Sequence, residues 1–229
     1  MICNDYTEML RQKPMTLIMS LPANDPDMCR AAFDAGADVV KCHINLSHHA
    51  SGTLFDTFEK SKPILEEMLS ARKGPMGIVP GNSVEKVEAD LDQLLEMPFS
   101  FYSLYTQHTP PGLIAKGVPL MAACDYTYTL EEVKQIEKIG ASILEASIVP
   151  GEEYGTRLSL RDLLRYEDIA SSTALPVVVP TQRNILPEDV PALHATGIRG
   201  LMIGAIVTGR EIESVVRAVS AFRNAIDKL

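Results

Sequence analysis

Eight times along this chain of 229 residues, a short run rich in β-branched and other apolar residues is followed by a stretch with helical periodicity. The runs fall at about 16–21, 38–46, 75–80, 99–105, 118–125, 142–149, 176–183 and 201–207. Strands that alternate with helices pair in parallel, because each crossover helix returns the chain to the same end of the sheet. Eight such units with no block left over predict a closed barrel of eight strands and eight helices, not an open sheet. Closure also removes exposed edge strands. A barrel of roughly 250 residues is usual for this architecture. The expectation is therefore one domain, 1–229, forming a single (β/α)8 barrel after a short N-terminal extension.

Helix punctuation agrees with that count. Asp25 followed by Pro26 reads as an N-cap with proline in the first turn, and Gly36 ends the same helix. Thr129 to Glu132 reads as a capping box, with Gly140 closing the helix it opens. Ser159 and Asp162 repeat the device. The last helix, about 211–228, carries Ile212, Val215, Val216, Val219, Phe222 and Ile226 on one face, the stripe of a helix packed on a barrel.

The second run holds the chemistry. Read as a strand, Val40, Cys42, Ile44 and Leu46 share one apolar face, fit to lie beneath helices. The other face starts with Val39 and turns polar through Lys41, His43 and Asn45. Active sites of such barrels sit at the carboxyl ends of the strands, so this gradient points Lys41, His43 and Asn45 toward the open mouth. The same alternation aims Glu145 and Ser147 inward from the sixth run and places Asp125 at the end of the fifth. Thr181, Gln182 and Arg183 close the seventh. Lysine, histidine, carboxylates and an arginine then converge on one cup.

Each has a plainer reading. Lys41 and Glu145 can form a buried structural ion pair, His43 can be a core histidine, and Asp125, before Tyr126-Thr-Tyr128, can hydrogen-bond within a turn. A desolvated Lys41 can also form a Schiff base. His43, His48 and His49 with a carboxylate are the candidate divalent-metal set. They match no paired ligand spacing, so no metal and no cofactor is the primary expectation. Two connections are longer than the rest, 47–53 and 150–157. The second has Gly151 and Gly155 near its ends, as a hinged lid would.

Bulk properties narrow the partners. A formal charge of -9 disfavours nucleic acid, whose phosphates want a basic footprint, but leaves room for a small anionic metabolite held by a local site. No apolar run reaches the ~18 residues of a membrane span. Met1 to Pro14 is polar and mixed in charge, unlike a signal peptide. The four cysteines, Cys3, Cys29, Cys42 and Cys124, form no CxxC pair and read as reduced thiols of a cytoplasmic protein. A homodimer is the candidate assembly.

The final run, Gly200 to Glu211, puts glycines where backbone can approach a ligand beside a helix start. From Met121-Ala-Ala-Cys-Asp125 through Leu175-Pro-Val-Val-Val179 to Gly200-Leu-Met-Ile-Gly-Ala-Ile-Val-Thr-Gly209, the C-terminal half resembles the ribulose-phosphate-binding-barrel superfamily. Its order is similar to the N-acylmannosamine-6-phosphate 2-epimerases. That resemblance implies a (β/α)8 barrel, a sugar-phosphate ligand, acid/base chemistry by lysine and carboxylate, and a phosphate cup at Gly204, Thr208 and Gly209. The chain departs from the epimerases at Pro180-Thr-Gln-Arg183, where only the arginine of their Glu-Gly-Arg run remains, and around Lys41, which lacks their Lys-Arg-Asp setting. Lys41 and Glu145 rest on strand alternation alone.

The expected function is an enzyme acting on a small phosphorylated carbohydrate or related metabolite, as an isomerase or epimerase or as a carbon–carbon lyase. Lys41, Glu145, His43 and Asp125 would be catalytic. Asn45, Thr181, Gln182, Arg183, Gly204, Thr208 and Gly209 would bind substrate. The alternatives are a ligand-binding barrel without turnover and a metal-assisted lyase using His43 and Glu145.

Overall fold

A computed structural model describes residues 6–229; Cys3 lies outside the described residues. Eight parallel strands close into a barrel in sequence order: β1 (Thr16–Ser20), β2 (Val39–His43), β3 (Met76–Val79), β4 (Phe101–Tyr105), β5 (Leu120–Cys124), β6 (Ile143–Ala146), β7 (Val177–Pro180) and β8 (Gly200–Ile203). β1 pairs with both β2 and β8, which completes the ring. The helices are α1 (Tyr6–Gln12), α2 (Pro26–Asp34), α3 (Phe58–Ala71), α4 (Val84–Leu95), α5 (Pro111–Ala115), α6 (Leu130–Lys138), α7 (Leu160–Ser171), α8 (Val190–Ala195), α9 (Ala205–Thr208) and α10 (Ile212–Ile226). This is a (β/α)8 barrel, as the alternating pattern predicts.

Strand alternation divides the core in two. Outward residues such as Val40, Cys42, Leu144, Val179 and Leu201 join the helix faces in one continuous apolar layer. Inward residues Ile18, Val39, Phe101, Met121, Ile143, Val178 and Met202 fill the ring itself. The described part of the N-terminal extension contains α1, whose Tyr6 and Leu10 belong to the inner cluster and plug the amino-terminal end. The Tyr6 ring lies 4.4 Å from that of Phe101. Two inward glycines make room for this floor. A Cβ at Gly77 would sit 2.2 Å from the Phe101 ring, and one at Gly200 would meet Leu10 and Val178 at 2.9 Å.

The caps form largely as read. The Asp25 side chain accepts from the N–H groups of Asp27 (2.7 Å) and Met28 (3.2 Å), and Gly36, at φ 109°, turns the chain out of α2. Ser159 and Asp162 make a complete capping box on α7. Thr129 makes only half of one: it accepts from the Glu132 N–H at 3.1 Å, while the Glu132 carboxylate takes the Thr106 hydroxyl at 3.5 Å.

Strand ends depart from the sequence reading. β2 stops at His43, β6 at Ala146, β7 at Pro180 and β8 at Ile203, each three to four residues early, and 205–208 is helix α9. The apolar runs continue because the chain beyond the strands stays buried: Ile44, Leu46, Ile148 and Val149 are all core residues in loops. Of the two long connections, the first folds into a small hairpin, with Ser47–His48 antiparallel to Thr53–Leu54.

Candidate active site

A cavity of about 230 Å³ opens at the carboxyl-terminal mouth of the barrel, directly above the apolar floor. Its floor polar groups come from the even strands, which alternation brings inward at the same height. Lys41 on β2 and Glu145 on β6 project from opposite walls, four strands apart, and meet with Nζ and Oε2 3.4 Å apart. Both residues are 5% exposed. Each alone would be costly to bury; together they offset one another's desolvation in part.

Serines complete the arrangement. The Ser103 hydroxyl donates to Glu145 Oε2 at 3.0 Å and receives Lys41 Nζ at 3.5 Å, while Ser147 donates to Glu145 Oε1 at 2.7 Å. Both carboxylate oxygens thus have partners, and the lysine and glutamate are joined directly and through one hydroxyl.

His43 stands one strand step nearer the mouth. Asn24 fixes its backbone, donating to its carbonyl (2.6 Å) and accepting from its N–H (3.3 Å). Its ring lies 4.6 Å from the His48 ring and 4.9 Å from the Phe55 ring. Burial first, then His48 and the Lys41 charge, hold its pKa well below the usual imidazole range. Burial, followed by Lys41, pushes His48 down to about 4. Both imidazoles are neutral at neutral pH. Nε2 of His43 faces the Ser20 hydroxyl at 3.5 Å, and Nδ1 is buried with no partner among the described residues. A buried bare lone pair costs less than a buried unpaired N–H, so the proton is assigned to Nε2, where it can be donated.

Over the cavity the two long connections touch. His49 Nε2 lies 3.3 Å from the Gly151 carbonyl, and the His49 and Tyr154 rings are 4.9 Å apart, edge to face. Gln182 Nε2 donates to the Tyr154 hydroxyl at 2.6 Å, and its Oε1 accepts from the Val149 N–H at 3.1 Å. Tyr105 hydrogen-bonds with Ser147 and Tyr154; burial, then Tyr154 and Glu145, raise its pKa.

Of the residues singled out in the sequence, Lys41, His43, His48, His49, Glu145, Ser147, Thr181, Gln182 and Gly204 line the cavity. The Gly204 N–H donates to Thr181 Oγ1 at 3.0 Å, which leaves that hydroxyl proton free to point elsewhere. The others lie outside. Asn45 sits past the end of β2 at φ 60°, so strand alternation no longer governs it; its amide donates to the Pro80 carbonyl (3.0 Å) and to Asp90 (2.9 Å). Asp125 accepts from the Thr127 N–H at 2.8 Å, the turn bond that was its plainer reading. Arg183 turns away to Asp162 (3.0 Å) and Glu153 (2.5 Å). The Thr208 hydroxyl donates to the Gly209 carbonyl at 2.9 Å at the far end of α9. Ser20, Ser103, Tyr105 and Tyr154 line the cavity without having been singled out. Alternation from Ile18 and Phe101 would have found the first three; Tyr154 had no signal beyond its place in a long loop.

Among the described residues no three histidine, cysteine or carboxylate side chains gather as metal ligands. His48 Nδ1 is taken by Ser51 at 2.9 Å and His49 by Gly151.

No family model matches the chain, and no curated protein sequence does. Solved structures match along almost its whole length. Thiamine phosphate pyrophosphorylase from Pyrococcus furiosus is 18% identical over 94% of this chain and 97% of its own, with a TM-score of 0.64. A structure described as native KDPGal is 19% identical over 95% and 97%, at 0.65. The (S)-3-O-geranylgeranylglyceryl phosphate synthase of Thermoplasma acidophilum, in complex with sn-glycerol-1-phosphate, is 15% identical over the full length of both chains, at 0.62. The structural likeness, at identities this low, shows a shared (β/α)8 barrel and nothing finer.

Proposed function

We propose that this barrel is an enzyme that removes and returns a proton at a carbon beside a carbonyl of a small phosphorylated metabolite. The observation that carries the reading is the Lys41–Glu145 pair, drawn from opposite strands into one cavity over an apolar floor. Glu145 is the base: the C–H bond breaks, its electron pair moves into the enolate, and the proton passes to the carboxylate. The Lys41 ammonium stabilises the enolate oxygen, and the His43 Nε2–H supplies a neutral donor beside it. Lys41 Nζ faces Glu145 Oε2 and the Ser103 hydroxyl, a placement that suits a donor to the enolate oxygen, and acid/base work is the reading we favour over a Schiff base.

Return of the proton to the same or a neighbouring carbon gives an isomerase or epimerase, the outcome nearest the N-acylmannosamine-6-phosphate 2-epimerase resemblance. Carbon–carbon cleavage to the same enolate gives a lyase. The phosphate belongs at the β7–β8 side, where the Thr181 hydroxyl and Gly204 border the cavity, and the two touching loops exclude water from the bound substrate. Two of the similar structures, a thiamine phosphate pyrophosphorylase and a glycerol-phosphate complex, have phosphorylated small molecules in their names.

Hydrogen exchange at carbon tests the reading whichever product forms. A panel of small sugar phosphates and phosphorylated keto compounds is incubated with the protein in D2O and read by mass spectrometry. Deuterium uptake by at least one member, abolished by Glu145→Gln and by Lys41→Met, is expected. Uptake that survives both substitutions, or none across the panel, overturns the reading.

A further inference from the structure

Outside the cavity, a groove of about 550 Å³ runs between the β5–α6 loop and the start of α7. Its wall includes Tyr126, Tyr128, Arg161, Arg165 and Arg183, together with the carboxylates Asp162 and Glu153. Three guanidinium groups in one groove are unexpected in a chain of charge -9.

The charges do not cancel. Both oxygens of Asp162 are taken: one receives Arg183, and the other receives the Ser159 N–H at 2.9 Å and hydroxyl at 2.7 Å. Glu153 also pairs with Arg183. The two acids of the groove therefore neutralise the half-buried Arg183, and among the described residues neither Arg161 nor Arg165 has an ion-pair partner. Local physics opposes this placement. Arg161 lies in the first turn of α7, where the helix dipole disfavours a cation, and Arg165 sits four residues on, where like charges repel.

The groove also carries groups suited to a flat ligand. Beside the cations stand aromatic faces: Arg165 lies 5.4 Å over the Tyr128 ring, and Tyr126 is 55% exposed.

We infer that this groove is a second ligand site, distinct from the barrel cavity, for a phosphate ester carrying a flat or apolar body. Arg161 and Arg165 hold the phosphate, for which planar guanidinium groups are suited, and Tyr126 and Tyr128 cover the body. The site goes beyond the acid/base reading and does not depend on it.

Equilibrium dialysis of the full chain with phenyl phosphate tests it. Wild-type protein is expected to bind at roughly millimolar concentration or tighter, more weakly as salt rises. The double variant Arg161→Ala/Arg165→Ala is expected to lose one bound equivalent or at least tenfold in affinity. Because both side chains reach the surface, the variant should keep the wild-type circular dichroism and melting temperature. Binding that is the same in variant and wild type, or absent from both, overturns the inference. So does a wild-type dimer that the double variant dissociates, since a second copy would then be the occupant.

Discussion

Replacing Lys41 by methionine keeps the length of the side chain and removes its charge, so it isolates the ion pair. The glutamate is left buried, with Ser103 at 3.0 Å and Ser147 at 2.7 Å as its side-chain partners among the described residues. Breaking a buried pair by removing one partner costs about 3–5 kcal/mol. The two retained hydroxyl donors put Lys41→Met near the lower end, about 3 kcal/mol, which lowers Tm by roughly 6–12 °C in a chain of this size. Glu145→Gln leaves the ammonium, among the described residues, with the Ser103 hydroxyl at 3.5 Å and belongs higher in the range. The double variant buries no charge. Its loss should fall short of the sum of the two single losses by a coupling energy of about 2–3 kcal/mol. Urea denaturation of the four proteins at pH 7.5 closes the cycle. Single losses below about 1 kcal/mol that simply add would show that the two charges do not meet in a dry site, and the reasoning would fall.

Other outcomes follow from the same geometry. His43 and His48 are depressed in the folded state, so the unfolded chain binds more protons as pH drops below about 6.5; stability is then lost between that point and the folded values, about 4 for His48. Each histidine should contribute a slope of about 1.4 kcal/mol per pH unit, and His48→Gln should remove one share of it in denaturation series from pH 7.5 to 4.5. Gly77→Ala drives a methyl into the Phe101 ring and should cost about 1–3 kcal/mol by thermal melting, with Phe101→Leu in the same chain recovering part. Equal stability of Gly77→Ala and wild type would mean that the floor is loosely packed.

Much of the barrel was legible because each strand is short, apolar on alternate residues and bounded by caps that mean one thing, as at Asp25-Pro26 and Ser159–Asp162. Lys41 and Glu145 were legible for the same reason, since a charged residue in phase with inward valines or isoleucines has few places to go. Alternation failed where the strand had already ended. Asn45 continues the pattern on paper, but its left-handed backbone turns it to Asp90. Arg183 was misplaced because its partners Glu153 and Asp162 are 30 and 21 residues away, and nothing local announces them. Ser103 shares the inward face with Phe101 and Tyr105, but nothing in a lone serine announces Glu145, 42 residues on, as its partner. The plug formed by α1 went unread as well: seven residues with two buried anchors are too few to show a periodicity.

Whether Glu145 takes a proton from carbon is best decided by comparing deuterium uptake rates in wild type, Glu145→Gln and Asp125→Asn, using the panel compound that exchanges fastest. Loss of general-base catalysis should slow Glu145→Gln by about 10²–10⁴-fold, while Asp125→Asn, altered in a turn outside the cavity, should stay within a few-fold of wild type. The opposite ranking, or equal rates in all three, would contradict the assignment of this cavity as the seat of the chemistry.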